Sequence, residues 1–441
     1  MKKLLTTALA ALLLVLLGIP AVLLGIGSLA RPSARGPGPA RVVAVVRGKG
    51  PLAAGVAEVP LDVPPGTPIA GFARLRYASE GIRDPLGVRA LVLSAGGCRV
   101  ALVSAEILLV PDSLVEAVRA RLRDLPLDGL IVTATHTHAG PGGYWEDQLG
   151  ERIATGPYDP AARDRLANAI ALAVRRAASF AGPARLSLAQ GRAEALQHNR
   201  DGGPRDGRLS VLRIEGSGGA PLAEVTLFAA HPTTLGGGNR SLSGDWAGRF
   251  LAGGHQGLRL LLQGALGDQS VSLDPPGTAI TPEAYAAALG AAVDGLGSGP
   301  PDPAPALAIA TVDVPLPPPA PAAVPAPLRR AVGALAQDLL PADASVTALR
   351  IGPLLLLGVP AEPVAAVGAR WREAAGPDAE VVALANGYLG YVESAEQVTR
   401  GAGEADRTYY GPELEARLEK GIVLAAEAAR GDAGRAGGTR R

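Results

Sequence analysis

The chain has 441 residues, 48% of them hydrophobic but only 3% aromatic, and 42 basic residues nearly cancel 41 acidic ones to leave a formal charge of +1. That balance gives no sign of nucleic-acid binding or of electrostatic attraction to an anionic membrane, and the single cysteine, Cys98, excludes an internal disulfide. The length permits one large domain or two to three ordinary ones.

Lys2 and Lys3 precede an apolar run at 4–29, longer than a signal-peptide core and long enough to span a bilayer, for which about 20 residues suffice. Residues 1–30 are therefore expected to be a transmembrane anchor, or a signal sequence cut near Ser28-Leu29-Ala30. Either places the body outside the cytoplasm: membrane-anchored in the periplasm or at the cell surface, or secreted. Arg31, Arg35 and Arg41 on the far side weaken the charge rule for orientation. Residues 31–41 are rich in Pro, Gly, Arg and Ser and read as a linker.

Short apolar strands begin at Val42. A hairpin is expected at 89–93 and 99–104, closed around Ala95-Gly96-Gly97. A helix follows at 114–123, with Ser113 and Glu116 as a capping box, and then a strand at 130–133. Asp159 and Pro160 open a second helix that runs to 180. Strands are expected at 185–190, 210–214, 224–229 and 258–262, and a helix from Thr281 to about 296. The proline-rich segment 299–327 contains a strand at 307–314 and belongs to the same domain. Two further strands lead to a helix opened by Pro360-Ala361-Glu362-Pro363, a strand at 380–384 and a last helix after Pro412. The pattern gives an α/β (mixed α+β) fold: one large domain, 42–428, of mixed β-sheets flanked by helices, ending in a disordered Gly/Arg tail at 429–441.

Chemistry concentrates at 129–146, GLIVTATHTHAGPGGYWE. In extended backbone residues two apart share a side, so His136 and His138 are expected to face one way at a strand end. Paired histidines on a surface strand often do nothing, but the chain has only five. His231, Ser270, Glu362 and Tyr391 also fall at strand ends or helix starts. Two imidazoles and a carboxylate suit a catalytic zinc, which takes about three such ligands and a water. Each residue also has a plain structural reading. Glu362 suits a helix start, Ser270 a turn, Tyr391 the core, and Asp268 an Asx cap. His198 and His255 read as ordinary polar residues, and Asp245 as a loop carboxylate outside the site.

Six segments together resemble the neutral/alkaline, non-lysosomal ceramidases: THTHAGPGGY, HNR at 198–200, FAAHPTT at 228–234, QGALGDQS at 263–270, VPAEP at 359–363 and NGYLGYV at 386–392. The resemblance extends from about Val56 to about Leu418. It implies a zinc amidase that splits ceramide into sphingosine and a fatty acid. It further implies His136, His231, Glu362 and Tyr391 as zinc ligands, and His138 as an acid/base or a donor to the developing oxyanion. Arg200 would help to hold the site, and Ser270 would contact the scissile amide or a head-group hydroxyl. The implied partners are a lipid substrate and, through the N-terminal helix, a membrane; no nucleic acid or obligate protein partner is expected.

Departures accompany the likeness. The serine segment of the family reads GDVSPN where this chain has Gly267-Asp268-Gln269-Ser270-Val271-Ser272, and Gly403 stands where a second tyrosine is usual. The chain stops soon after its last predicted helix, so the likeness is expected to cover the catalytic N-terminal domain without the immunoglobulin-like domain that full-length members carry. Two alternatives remain: a hydrolase of another N-acyl substrate, and a domain that binds zinc and lipid without turnover. Other HxH hydrolases fit less well. No lysine lies between Lys49 and Lys420 to be carbamylated, and Ala139-Gly140-Pro141 breaks an HxHxDH motif.

Overall fold

The structure, a computed structural model, describes residues 38–72, 78–146, 150–254, 257–273 and 277–431. The apolar run at 4–29, His255 and the tail beyond Gly431 lie outside the described residues. Among those described, no helix is long and apolar enough to cross a membrane.

Two β-sheets face each other. The larger has eight strands, in the order Leu258–Gln263, Pro221–Phe228, Arg208–Gly216, Gly182–Arg192, Ala53–Pro60, Gly87–Ala95, Cys98–Ala105 and Gly129–Ala134. The smaller has five, in the order Arg41–Lys49, Ala306–Pro315, Asp343–Ile351, Leu354–Gly358 and Ala379–Val382. Side-chain alternation explains the layering. In Gly87–Ala95, Leu91 and Leu93 enter the core shared by the sheets, while Val88, Ala90 and Val92 face the helices Asp112–Arg121 and Pro160–Ser179. In the smaller sheet Leu354 and Leu356 meet that shared core, while Leu355 and Leu357 meet Ala365–Ala375 and Glu413–Arg430. Helices thus cover both outer faces of the sandwich. Because both faces of each sheet are covered, the central strands read as unbroken apolar runs. Each fully buried leucine contributes roughly 1.5–3 kcal/mol.

The expected hairpin forms around Gly96 and Gly97, whose φ values of 54° and 85° suit a two-residue turn. Cys98 opens its second strand and is buried, which raises its thiol pKa to about 11. The expected capping box does not form. The helix begins at Asp112 with Pro111 as its cap, which puts Ser113 inside the first turn, where its buried hydroxyl has no hydrogen-bond partner. Asp159 and Thr281 do cap their helices, accepting from the N–H of Ala161 and Ala284. Glu362–Pro363 is a short strand, and the helix expected there starts at Ala365. Asp245 is not in a loop; it begins the helix Asp245–Ala252. Helices at Ala326–Ala336 and Ala395–Arg400 had no expectation, and the last helix continues to Arg430.

Within these two sheets three adjacent strand pairs are parallel: Cys98–Ala105 with Gly129–Ala134, Pro221–Phe228 with Leu258–Gln263, and Leu354–Gly358 with Ala379–Val382. The segments that leave their carboxyl ends carry the chemistry, as is usual where ligands bind in α/β sheets. Asn386 joins two of these segments. Its amide accepts from Val132 N–H at 2.8 Å and donates to Leu130 C=O at 2.7 Å, closing the open edge of Gly129–Ala134.

Candidate metal centre

His136 lies two residues past its strand, not within it. Its φ of 68° is left-handed, and its N–H donates to Ile107 C=O at 3.1 Å. The two imidazoles therefore converge through a kinked loop rather than through the extended geometry expected from their spacing. Their ring centroids are 4.8 Å apart. His138 is set by its own N–H, which donates to Pro232 C=O at 3.2 Å. Gly71 passes so close that a Cβ there would lie 2.5 Å from His138 Cα.

His231 follows the Pro221–Phe228 strand, and both its N–H and its Nδ1 contact Gln269 C=O at 3.0 Å. The Asp245 carboxylate holds the next turn, accepting from Thr234 and Leu235 N–H at 3.2 and 3.1 Å, and Trp246 Nε1 donates to His231 C=O at 3.2 Å. Glu362 pairs with Tyr391 in a two-residue parallel bridge, so ligand candidates 29 positions apart emerge side by side.

The donor atoms meet at one point. Glu362 Oε2 is 3.1 Å from His136 Nε2 and 3.3 Å from His231 Nε2. Tyr391 Oη is 3.2 Å from His231 Nε2, and His138 Nε2 is 3.2 Å from His136 Nε2. Ligand atoms of His136, His138 and His231 all lie within 4.8 Å of one another. His136 Nδ1 faces Leu108 C=O at 2.7 Å and His231 Nδ1 faces Gln269 C=O, so each must donate there. Their Nε2 atoms are then lone pairs aimed at a carboxylate oxygen that is buried and has no hydrogen-bond partner. Bare lone pairs at such distances repel, and a cation between them removes the conflict. The spacing also suits one: ligands at 2.0–2.1 Å from a tetrahedral ion are about 3.3–3.4 Å apart. These residues fit a divalent metal.

The electrostatics agree. Burial, then the neighbouring His136 and Arg200, bring His231 down to about 4 against an opposing pull from Glu362. Burial and the other two rings hold His138 well below its usual value. Burial would raise Glu362, but His136 and His231 hold it well below the carboxylate range. His138, His231 and Glu362 thus adopt the deprotonated forms that metal binding requires. Burial and then Glu362 raise the phenols of Tyr388 and Tyr391.

Arg200 stands beside the cluster. Its Nε donates to Glu404 at 2.9 Å, and Nη2 reaches Gly267 C=O. Nη1 is 3.3 Å from His231 Nδ1, where a hydrogen already points at Gln269, so the guanidinium acts on that ring by charge. Ser270 is half-buried on the strand Gln269–Val271, next to the carbonyl that fixes His231 and paired with the exposed His198. Asp268 is buried, accepting from Asn199 at 2.5 Å and from Ala365 N–H at 2.9 Å, the fastening role that its turn suggested.

Several residues of the site carried no sequence expectation. Tyr388 Oη donates to Glu362 Oε1 at 2.7 Å, and Arg407 Nη1 donates to Tyr391 Oη at 3.3 Å. Both tyrosines belong to the NGYLGY segment, whose likeness to the family marks only the second as a ligand. Phe72, with its ring 5.0 Å from His138, is distant in sequence and had no signal.

The family model "Neutral/alkaline non-lysosomal ceramidase, N-terminal" matches residues 63–250, which contain all three clustered histidines and Arg200. The chain is 30% identical over 251 residues to the neutral ceramidase of Mycobacterium tuberculosis, covering 48% of this chain and 39% of that protein. It is 28% identical over 201 residues to neutral ceramidase A of Dictyostelium discoideum, covering 41% and 28% respectively. The matches therefore span about two fifths or less of these relatives' length. The crystal structure of neutral ceramidase from Pseudomonas aeruginosa shares the fold, with a TM-score of 0.74 at 19% identity over 86% of this chain and 75% of that one. Over residues 63–250 the chain is thus similar in sequence to the neutral/alkaline non-lysosomal ceramidases, and its fold is that of the Pseudomonas aeruginosa enzyme.

Proposed function

We propose that the protein is a zinc-dependent amidohydrolase that cleaves the N-acyl amide of ceramide or a related N-acyl lipid, releasing a fatty acid and an amine. The observation that carries this reading is the convergence of His136 Nε2, His231 Nε2 and Glu362 Oε2 within 3.1–3.3 Å. In this reading His136, His231, Glu362 and Tyr391 hold the ion. Zinc, when bound, supplies a Lewis acid that polarises the amide carbonyl and makes water acidic enough to attack near neutral pH. His138 Nε2 takes the proton of the attacking water and passes it to the departing nitrogen as the C–N bond breaks. Arg200 keeps His231 neutral through its charge and fastens the adjoining loop at Gly267. Ser270 contacts the amide or a head-group hydroxyl. The apolar run at 4–29 serves as a membrane anchor that keeps an extracytoplasmic enzyme at its lipid, or as a signal sequence that releases it.

The test is fatty-acid release from short-chain and long-chain ceramide by the purified full chain in detergent, beside His136→Ala. Release by the zinc-loaded wild type, lost in the variant, supports the reading. A folded, zinc-loaded protein that releases no fatty acid from ceramide or other N-acyl amides would leave a zinc- and lipid-binding domain without turnover.

A further inference from the structure

Two guanidinium groups, those of Arg200 and Arg407, stand on either side of Glu404 beside Tyr391. Arg407, in the short turn Ala405–Arg407, lies over the Tyr391 ring with its guanidinium carbon 5.2 Å from the centroid. Its Nη1 is 3.3 Å from Tyr391 Oη and 3.0 Å from Glu404 Oε2. Glu404 is the same carboxylate that Arg200 engages. Two guanidinium groups thus share one carboxylate. They are not equally enclosed: the Arg200 side chain is 26% exposed and that of Arg407 50%. Tyr391 Oη is in turn 3.2 Å from His231 Nε2, so Arg407 is a permanent cation one hydrogen bond away from the metal cradle.

A guanidinium is a planar fork matched to carboxylate and stays charged at any working pH. A half-exposed one beside an amide-cleaving centre does little for a substrate that is neutral on both sides of its amide. We propose that Arg407 binds an acidic substituent carried on the amine side of the scissile bond. The preferred substrates are then N-acyl amides of amino-acid type, in which one or two carbons separate the amide nitrogen from a carboxylate. The amine side follows from chemistry, because the hydrocarbon tail of a fatty acyl group offers no anion. This inference rests on the amidohydrolase reading and narrows its substrate class.

The experiment compares N-octanoylglycine with N-octanoylglycinamide, which differ in charge but hardly in shape, on zinc-loaded wild type, Arg407→Ala and Arg407→Lys. A charge-assisted contact of this kind favours the acid in kcat/KM by about tenfold to a hundredfold. The preference should reside in KM, collapse toward unity in Arg407→Ala, and return in part in Arg407→Lys. Equal rates on the two compounds in the wild type overturn the proposal. So does an equal loss on both in Arg407→Ala, which would mean that Arg407 only positions Tyr391. Calorimetric binding of the same pair separates this inference from the hydrolase reading. If neither compound is hydrolysed, tighter binding of the acid that depends on Arg407 keeps the anion site, and equal binding rejects it.

Discussion

Asn386 ties the segment after Ala379–Val382 to the edge strand Gly129–Ala134, and its removal has a calculable cost. Asn386→Ala deletes the acceptor for Val132 N–H and the donor to Leu130 C=O, both on the buried edge strand. Each buried backbone group left unpaired costs about 1–3 kcal/mol. The residue also sits at φ 57°, a left-handed conformation that asparagine tolerates and that costs alanine about 1 kcal/mol more. The total is about 3–7 kcal/mol, well outside the ordinary range for a surface substitution. Equilibrium urea unfolding should show a midpoint lower by on the order of 1 M. Tyr388 and Tyr391 follow on the same segment, so zinc affinity should fall as well, under conditions where the variant is still folded. A midpoint within about 0.3 M of wild type, with unchanged zinc affinity, would refute the reasoning, because it would show that the strand edge does not need this amide.

Gly71→Ala places a methyl 2.5 Å from His138 Cα at a backbone φ of 117°. Turnover should fall at least tenfold with zinc content unchanged, read by paired activity and metal assays. Tyr388→Phe removes the hydrogen bond to Glu362 Oε1. Loss of such a support typically weakens metal binding about 10–100-fold, measurable by competition with a chelating dye. Glu106, buried against Arg89, has its carboxyl raised to about 7, chiefly by burial. A folded pKa above the unfolded one means that its contribution is full below pH 4.5 and lost as pH rises through 7. Over that window Glu106→Gln should show a flatter decline in stability than wild type, and parallel curves would contradict the assignment.

Much of the architecture was legible because it is written in short-range signals. The turn of Gly96-Gly97, the caps Asp159 and Thr281, and the apolar strands before His136, His231 and Glu362 are all local patterns. The gathering of His136, His231, Glu362 and Tyr391 was anticipated from strand ends and family motifs, although no local feature predicts that Glu362 and Tyr391 pair in one bridge. The misses have a common cause. The left-handed φ of His136, the insertion of Asn386 into a strand edge and the donor on Glu362 supplied by Tyr388 are tertiary choices. Ser113 shows the reverse error: a sound capping pattern was displaced because the helix started earlier, at Asp112.

The most direct test of the account is anomalous X-ray diffraction at the zinc edge from crystals of the zinc-loaded protein. One strong peak is expected about 2.0–2.2 Å from Nε2 of His136, Nε2 of His231 and a carboxylate oxygen of Glu362. A zinc peak bound elsewhere, or an intact cluster with no peak at saturating zinc, would contradict it.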